Sequence, residues 1–413
     1  MQLLNPGYKM INPVLLIVLV LSFSFSFDAR AQKFENLALT PPMGWNSWNY
    51  FKCDFNEQLI REVADAMVSS GMKEAGYEYI IIDDCWQVGR DKEGYIIPDP
   101  EKFPSGIKAL ADYIHAKGLK FGLYSDAGTK TCKGLPGSRG YEYQDARTYA
   151  SWGVDFLKYD WCHHGTQDAQ ASYTLMRDAL YAAGRPVLFS ICEWGENEPW
   201  LWAPEVGHMW RTGHDIKDCF NCDLNTSSQG IMKILDQQVE LRKYAGPDRW
   251  NDPDMLEVGN PGLSLAESRA HFSLWCMLAA PLIAGNDIIH MSDEVKSILT
   301  HKEVIAVNQD PLGLQAIKWL DFGDLEVWFK PLTSEEYAVC FLNRDENPKI
   351  LDFDFNQWEK VFDPDKGWKK YAFDDTYQMH DLWKNEKIGT TRESLKSTIP
   401  GHDVLMIKMT KIP

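Results

Sequence analysis

The polar residues with chemical potential fall at the ends of short apolar runs. Ile80-Ile81-Ile82 ends in Asp83-Asp84-Cys85-Trp86, Phe121-Gly122-Leu123-Tyr124 in Ser125-Asp126, and Phe156-Leu157-Lys158-Tyr159 in Asp160. Leu188–Ile191 leads to Cys192-Glu193-Trp194, Met209-Trp210-Arg211 to Asp215, and Trp250-Asn251 to Asp252-Pro253-Asp254-Met255. A single acid at such a place can be a helix N-cap with no further role. Acids and aromatics recurring at many run ends point instead to one shared site. Clustered carboxylates support two chemistries: holding a divalent cation, or serving as nucleophile and acid of a glycosidase. His163, His164 and His214 are the nearby metal-ligand candidates, but no H-x-x-x-H spacing accompanies them, so no metal or other cofactor is expected.

The elements that must position these residues follow from the pattern. Eight strand-like runs occur at Pro42–Trp48, Tyr79–Trp86, Lys120–Asp126, Val154–Asp160, Pro186–Trp194, His208–Asp215, Arg249–Leu256 and Pro281–Asp287. Amphipathic stretches such as Glu57–Ala75, Ser105–Lys117, Gln167–Ala183, Gln229–Tyr244 and Ser264–Ala279 lie between them. That alternation predicts an α/β fold, a (β/α)8 TIM barrel over residues 32–312, whose strand ends meet at one catalytic rim. An open doubly wound sheet is the alternative, but no GxGxxG turn follows the first strand. After Asn308-Gln309-Asp310-Pro311-Leu312-Gly313 the runs Ala316–Leu320, Leu325–Pro331, Glu336–Asn343 and Val404–Met409 are short and β-rich. Residues 313–413 therefore read as a C-terminal antiparallel β-sandwich, packed closely on the barrel because no long linker intervenes.

Six spaced motifs then resemble, in order, the α-galactosidases of glycoside hydrolase family 27: Pro42-Met43-Gly44-Trp45-Asn46-Ser47-Trp48, Asp83-Asp84-Cys85-Trp86, Lys158-Tyr159-Asp160, Cys192-Glu193-Trp194-Gly195, Arg211 with Asp215, and Trp250–Leu256. The resemblance covers essentially the whole mature chain. It implies an exo-acting, retaining α-galactosidase with Asp160 as nucleophile and Asp215 as general acid/base. It further implies that Trp45 stacks on galactose and that Asp83, Asp84 and Lys158 bind the O3, O4 and O6 side. Tyr124, Cys132, Glu193, Trp194, Arg211, Asp254 and Met255 would complete the pocket, with Glu193 and Arg211 towards O2. Cys53 with Cys85, and Cys132 with Cys162, match two disulfides typical of that family.

Physical chemistry supports these roles. Lys158 and Asp160 are two residues apart, so on a strand both face the pocket, and the lysine is expected to keep the nucleophile ionised. Asp215 is expected to have a raised pKa, as a proton donor needs. Galactose carries an axial O4, and acceptors with a donor fixed on that side penalise a sugar that lacks it. A bulky acid at Glu193 leaves no room for an acetamido group, which argues against an α-N-acetylgalactosaminidase. A β-L-arabinopyranosidase is a second reading, opposed by Asp83 near the position of O6. A non-catalytic galactose-binding protein would need neither Asp160 nor Asp215.

The remaining features bound the setting. The formal charge of −17 becomes −18 once residues 1–31 are removed, which opposes nucleic-acid binding and suits neutral ligands. Lys9, the apolar run Val14–Leu21 and Ala29-Arg30-Ala31 read as an export signal over residues 1–31, too short for a membrane anchor. Translation from Met10 would leave a similar signal. The protein is therefore expected to be periplasmic or secreted, acting on α-galactoside oligosaccharides, polysaccharides or glycoconjugates. Nine cysteines suit an oxidising compartment with at least one thiol left over. Cys219-x-x-Cys222 reads as a local disulfide, and Cys192, Cys276 and Cys340 as buried thiols. One sequon, Asn225-Thr226-Ser227, decides little, and its isolation favours a bacterial source.

Overall fold

A computed structural model describes residues 33–222, 228–358, 360–366, 369–372 and 375–412. The expected export signal over residues 1–31 and the sequon Asn225-Thr226-Ser227 lie outside the described residues. Eight strands form one sheet: β1 Met43–Asn46, β2 Tyr79–Ile82, β3 Lys120–Asp126, β4 Phe156–Asp160, β5 Leu188–Cys192, β6 Met209–Arg211, β7 Trp250–Asp252 and β8 Leu282–Ala284. Each falls within one of the apolar runs. Neighbours pair in parallel in the order β7-β6-β5-β4-β3-β2-β1-β8, and a parallel bridge from Leu256 to Ala284 joins the two ends into a barrel.

Side-chain alternation divides the barrel into two apolar layers. Met43, Trp45, Ile80, Ile82, Leu157, Tyr159, Ile191 and Trp210 point outward into the large core beneath the helices. Tyr79, Ile81, Phe156, Leu188, Met209, Trp250 and Ile283 point inward and pack a smaller central core. Where β1 meets β2 the wall is tight: a Cβ on Gly44 would lie 2.6 Å from the Tyr79 carbonyl oxygen, so only glycine fits. The helices cover the outer layer by period 3.6. Glu57–Ser69 buries Ile60, Val63, Ala64 and Met67, and starts where the Asn56 side chain accepts from the Leu59 N–H at 3.0 Å.

Helix Lys302–Asn308 is followed by a six-stranded antiparallel sheet built from Ile317–Asp321, Leu325–Pro331, Tyr337–Asn343, Val404–Lys411, Tyr377–Asp381 and Glu386–Thr390. Alternation again explains its burial on both faces. Val327, Phe329, Val339, Phe341 and Ile407 pack against Leu351, Phe353, Leu395, Ile399 and Tyr371, giving the second layer of a sandwich. Trp328, Cys340, Leu342 and Met406 on the opposite face join the barrel core. Helix Leu265–Met277 lies at this junction, which is why every residue from Ser268 to Met277 except Arg269 is buried.

Polar ties complete the junction. Lys330 Nζ donates to the Cys276 carbonyl at 2.9 Å. Arg242 makes a bidentate pair with Asp363 at 2.7 and 2.9 Å, and its Nε donates to the Gln315 carbonyl. Disulfides link Cys53–Cys85, Cys132–Cys162 and Cys219–Cys222, while Cys192, Cys276 and Cys340 are buried and free. No helix among the described residues is long and apolar enough to cross a membrane. Both partners of the Arg242–Asp363 pair are nearly inaccessible, so Asp363→Ala leaves the buried guanidinium with only the part-exposed Asp365 as an ion-pair partner, at 3.2 Å, and should cost about 3 kcal/mol in urea unfolding; a loss below about 1 kcal/mol would show that the pair does not clamp the junction.

Candidate active site

The carboxyl ends of the strands meet at one rim, and register sets the height of each side chain. Tyr124, Lys158 and Ser190 are paired across β3, β4 and β5, as are Asp126, Asp160 and Cys192 two residues nearer the rim. Inward-facing residues thus stack in levels, with polar groups above the apolar plug formed by Phe156 and its neighbours.

Asp83 is the hub of one wall. Its Oδ2 accepts from Lys158 Nζ at 2.8 Å and Asn46 Nδ2 at 2.9 Å, and its backbone N–H donates to Ser47 Oγ. Asp84 is held by the backbone N–H groups of Cys85 and Lys133 at 2.7 and 2.9 Å. Opposite them, Asp160 Oδ1 accepts from the Trp161 N–H and Oδ2 from the Tyr124 hydroxyl, both at 3.0 Å. Cys132 Sγ, in its bridge to Cys162, lies 3.4 Å from the same Oδ2. Arg211 Nη2 contacts Asp254 at 2.8 Å and Asp215 at 3.1 Å, and also donates to the Gly213 carbonyl. Trp48, Asn49, Asp83, Asp84, Tyr124, Cys132, Lys158, Asp160, Trp194, Arg211, Asp215, Asp254 and Met255 line one pocket.

Eleven of the thirteen residues named from the sequence therefore share that pocket. Trp45 and Glu193 do not line it. Trp45 sits at an outward position of β1, fully buried, with its indole N–H on the Asn286 carbonyl at 2.8 Å. From this motif the indole in the pocket is that of Trp48, beyond the end of the strand. Strand parity was the available signal: Gly44 and Asn46 face inward, so Trp45 cannot. Glu193 follows the inward Cys192 and is fully buried behind the wall, where its Oε2 accepts from the Asn197 backbone and side-chain N–H groups, both at 2.7 Å. The pocket surface there belongs to Trp194, in the left-handed backbone region with φ +57°. The argument against an acetamido group therefore loses its footing on Glu193. Asn49 is a further pocket residue that sequence reasoning did not single out; Glu257 holds its amide at 2.6 Å.

The electrostatics also differ from expectation. Burial pushes Asp160 up to about 7, with Lys158 pulling against it and the charges of Asp215 and Asp83 reinforcing it. Burial also opposes ionisation of Asp215, but Arg211 and Lys158 overcome it and hold its pKa below the usual carboxylate value. The Asp215 side chain is 54% exposed, which leaves water to help solvate its charge. Both shifts run opposite to the expected directions, Asp160 raised by its burial and Asp215 lowered because Arg211 reaches it directly. Burial works against the Lys158 charge too, and Asp83 reverses the effect.

Comparison with known proteins places this arrangement. Residues 40–310 match the family model described as alpha galactosidase A, and residues 322–409 the alpha galactosidase C-terminal beta sandwich domain. The chain is 56% identical over 397 residues to the alpha-galactosidase A of Cellvibrio japonicus, covering 95% of this chain and 97% of that protein. It is 51% identical to an alpha-galactosidase of Oryza sativa, covering 92% and 88%. The crystal structure of alpha-galactosidase I from Mortierella vinacea superposes with a TM-score of 0.84 at 38% identity, covering 91% and 98%.

Burial raises Asp126 to about 9, Asp160, Glu193 and Glu257 to about 7, and Asp252 to about 6. In the unfolded chain these groups ionise near pH 4. Above that pH the unfolded state therefore binds fewer protons than the folded state, and stability falls as pH rises through these raised values. Carboxylates held low by ion pairs act below this window. Buried His208 and His271, pushed down to about 4 and about 3, oppose the trend at its acid end but are outnumbered by the raised carboxyls. The melting temperature should be higher at pH 5 than at pH 8; the reverse order would show that these carboxyls are ionised in the folded protein.

Proposed function

The chain belongs to the alpha-galactosidase A family, the melibiase-like glycoside hydrolases of family 27, and from that premise we propose hydrolysis of terminal, non-reducing α-D-galactosyl residues by a retaining, two-step route. The observation that carries this reading is the opening of Asp160 and Asp215 into one pocket beside the Lys158–Asp83 pair. In the first step Asp160 bonds to the anomeric carbon while Asp215 protonates the departing glycosidic oxygen. In the second, Asp215 takes a proton from water, the water attacks the same carbon, and Asp160 leaves. Two inversions give net retention.

The proton must lie on Asp215 for the first step. Asp160 and Asp215 repel one another electrostatically, so a proton shared between them moves with their solvation. A galactoside covering the half-exposed Asp215 removes its water and raises its proton affinity, while Lys158 stays in place to stabilise the charge transferred to Asp160. Asp83 and Asp84 supply acceptors and Lys158 a donor for the hydroxyls on the axial-O4 side, with the Trp48 indole as the stacking surface. The substrates are α-galactosides of oligosaccharides, polysaccharides or glycoconjugates. The export segment and the paired cysteines favour action in the periplasm or outside the cell.

Azide separates the two roles. Asp215→Ala should lower turnover of substrates with poor leaving groups ~10²–10⁴-fold, and added azide should give α-galactosyl azide. Asp160→Ala should abolish turnover with the fold intact, and azide should then give the β-anomer. The opposite pairing of anomers would exchange the two assignments, and substantial residual activity in Asp160→Ala would remove Asp160 from the mechanism. Wild-type turnover should survive EDTA.

A further inference from the structure

Three lysines flank pocket residues at the mouth. Lys52 ends the short helix that carries Trp48, Lys133 follows Cys132, and Lys217 lies two residues beyond Asp215; all three are exposed. Lys52 Nζ lies 5.1 Å and Lys133 Nζ 5.3 Å from the centroid of the same Trp48 ring. The Lys217 N–H donates to the Gln229 carbonyl at 2.9 Å, extending the pairing of Asp215–Ile216 with Ser228–Gln229, so Lys217 and Asp215 share one side of that segment. Burial, and then the like charge of Lys217, depress the Lys52 ammonium, so these two cations sense each other across the mouth.

What sets these lysines apart is position: three with no carboxylate at ion-pair distance among the described residues gather around one opening. Lys108, Lys117, Lys120 and Lys349 on the surface each have a carboxylate within ion-pair distance. Among the described residues, none of the three at the mouth does; the pocket carboxylates pair with Lys158 and Arg211 instead. On a chain of formal charge −17, three cations gathered around one opening offset the negative charge of the pocket acids and lower the barrier to an anionic group there. To a neutral aglycone the three ammoniums offer hydrogen bonds alone. A negatively charged group on the sugar next to the galactose would be met by them as it enters.

We propose that Lys52, Lys133 and Lys217 form a cationic collar that binds an anionic aglycone, so that the substrate is a terminal α-galactoside attached to a sugar bearing a carboxylate or a sulfate ester. The proposal rests on the catalytic reading of the pocket and names its substrate class. Cationic surroundings of this kind raise association with an oppositely charged ligand and lose that effect as salt screens them.

Three aryl α-galactosides test it: the 4-carboxyphenyl, the 4-sulfophenyl, and the neutral 4-(methoxycarbonyl)phenyl compound. At low salt, kcat/KM for the anionic aglycones should exceed that for the neutral one by ~10-fold, falling to within about twofold at 1 M NaCl. The variant K52Q/K133Q/K217Q should lose the preference while still hydrolysing the neutral substrate, which also reports that it is folded. A preference for only one anion would identify the carboxylate, or the sulfonate as the analogue of a sulfate ester, as the group recognised. An anionic-to-neutral ratio unaffected by salt in the wild type or by the triple substitution would overturn the proposal, and a shift of the pH profile common to all three substrates would show that the lysines merely balance the pocket carboxylates. Failure to cleave the neutral substrate at all would instead refute the catalytic reading.

Discussion

Five carboxylates converge at the strand ends, Asp83, Asp84, Asp160, Asp215 and Asp254, and the pocket confronts them with two cations, the part-buried Lys158 and the buried Arg211. Carboxylates crowded in a poorly solvated site repel and take up protons unless cations and hydrogen bonds hold their charge. Lys158 bonds to Asp83 and acts electrostatically on Asp160, while Arg211 joins Asp254 to Asp215. Each cation thus ties one acid of the proposed reacting pair to a neighbouring acid of the pocket wall. Replacing either would leave uncompensated charge where the chemistry occurs.

The scaffold keeps that balance in place. Barrel register puts Tyr124 and Lys158 on one level and Asp160 above them, and the Cys132–Cys162 bridge packs sulfur against the nucleophile candidate. The C-terminal sheet reaches the same site indirectly. Its inner face packs on helix Leu265–Met277, and Trp275 of that helix donates its indole N–H to the Asp254 carbonyl at 2.8 Å. Asp254, with φ +82°, in turn holds Arg211. A path of packed contacts thus runs from the sandwich to Asp215, a physical reason for the second domain to pack closely rather than hang on a linker.

Much of this was legible in the sequence because barrel strands are short apolar runs with chemistry at their ends. All eight strands lie within the runs identified from residue pattern, and most pocket residues are the acids and basic groups that terminate them. What escaped was local. Trp45 and Trp48 belong to one motif, and only the alternation along β1 tells which indole faces the sugar side. Glu193 turns away because the following loop supplies Asn197 as its partner. The lowered pKa of Asp215 depends on where the Arg211 guanidinium ends, which spacing alone does not fix. In the sandwich, Lys349–Phe353, Lys360–Asp363 and Lys369–Ala372 are short, mix charged and apolar residues without strict alternation, and so carry a weak strand signal.

The central claim is that Asp160 forms the covalent bond while Asp215 moves the proton. A 5-fluoro-galactosyl fluoride traps a glycosyl-enzyme by slowing its hydrolysis more than its formation, and peptide mass mapping of the inactivated protein locates the attached sugar. The account predicts a single fluorogalactosyl adduct on the peptide containing Asp160, lost again on incubation as activity returns. An adduct on Asp215, or turnover of the reagent with an inverted product and no adduct at all, would contradict it.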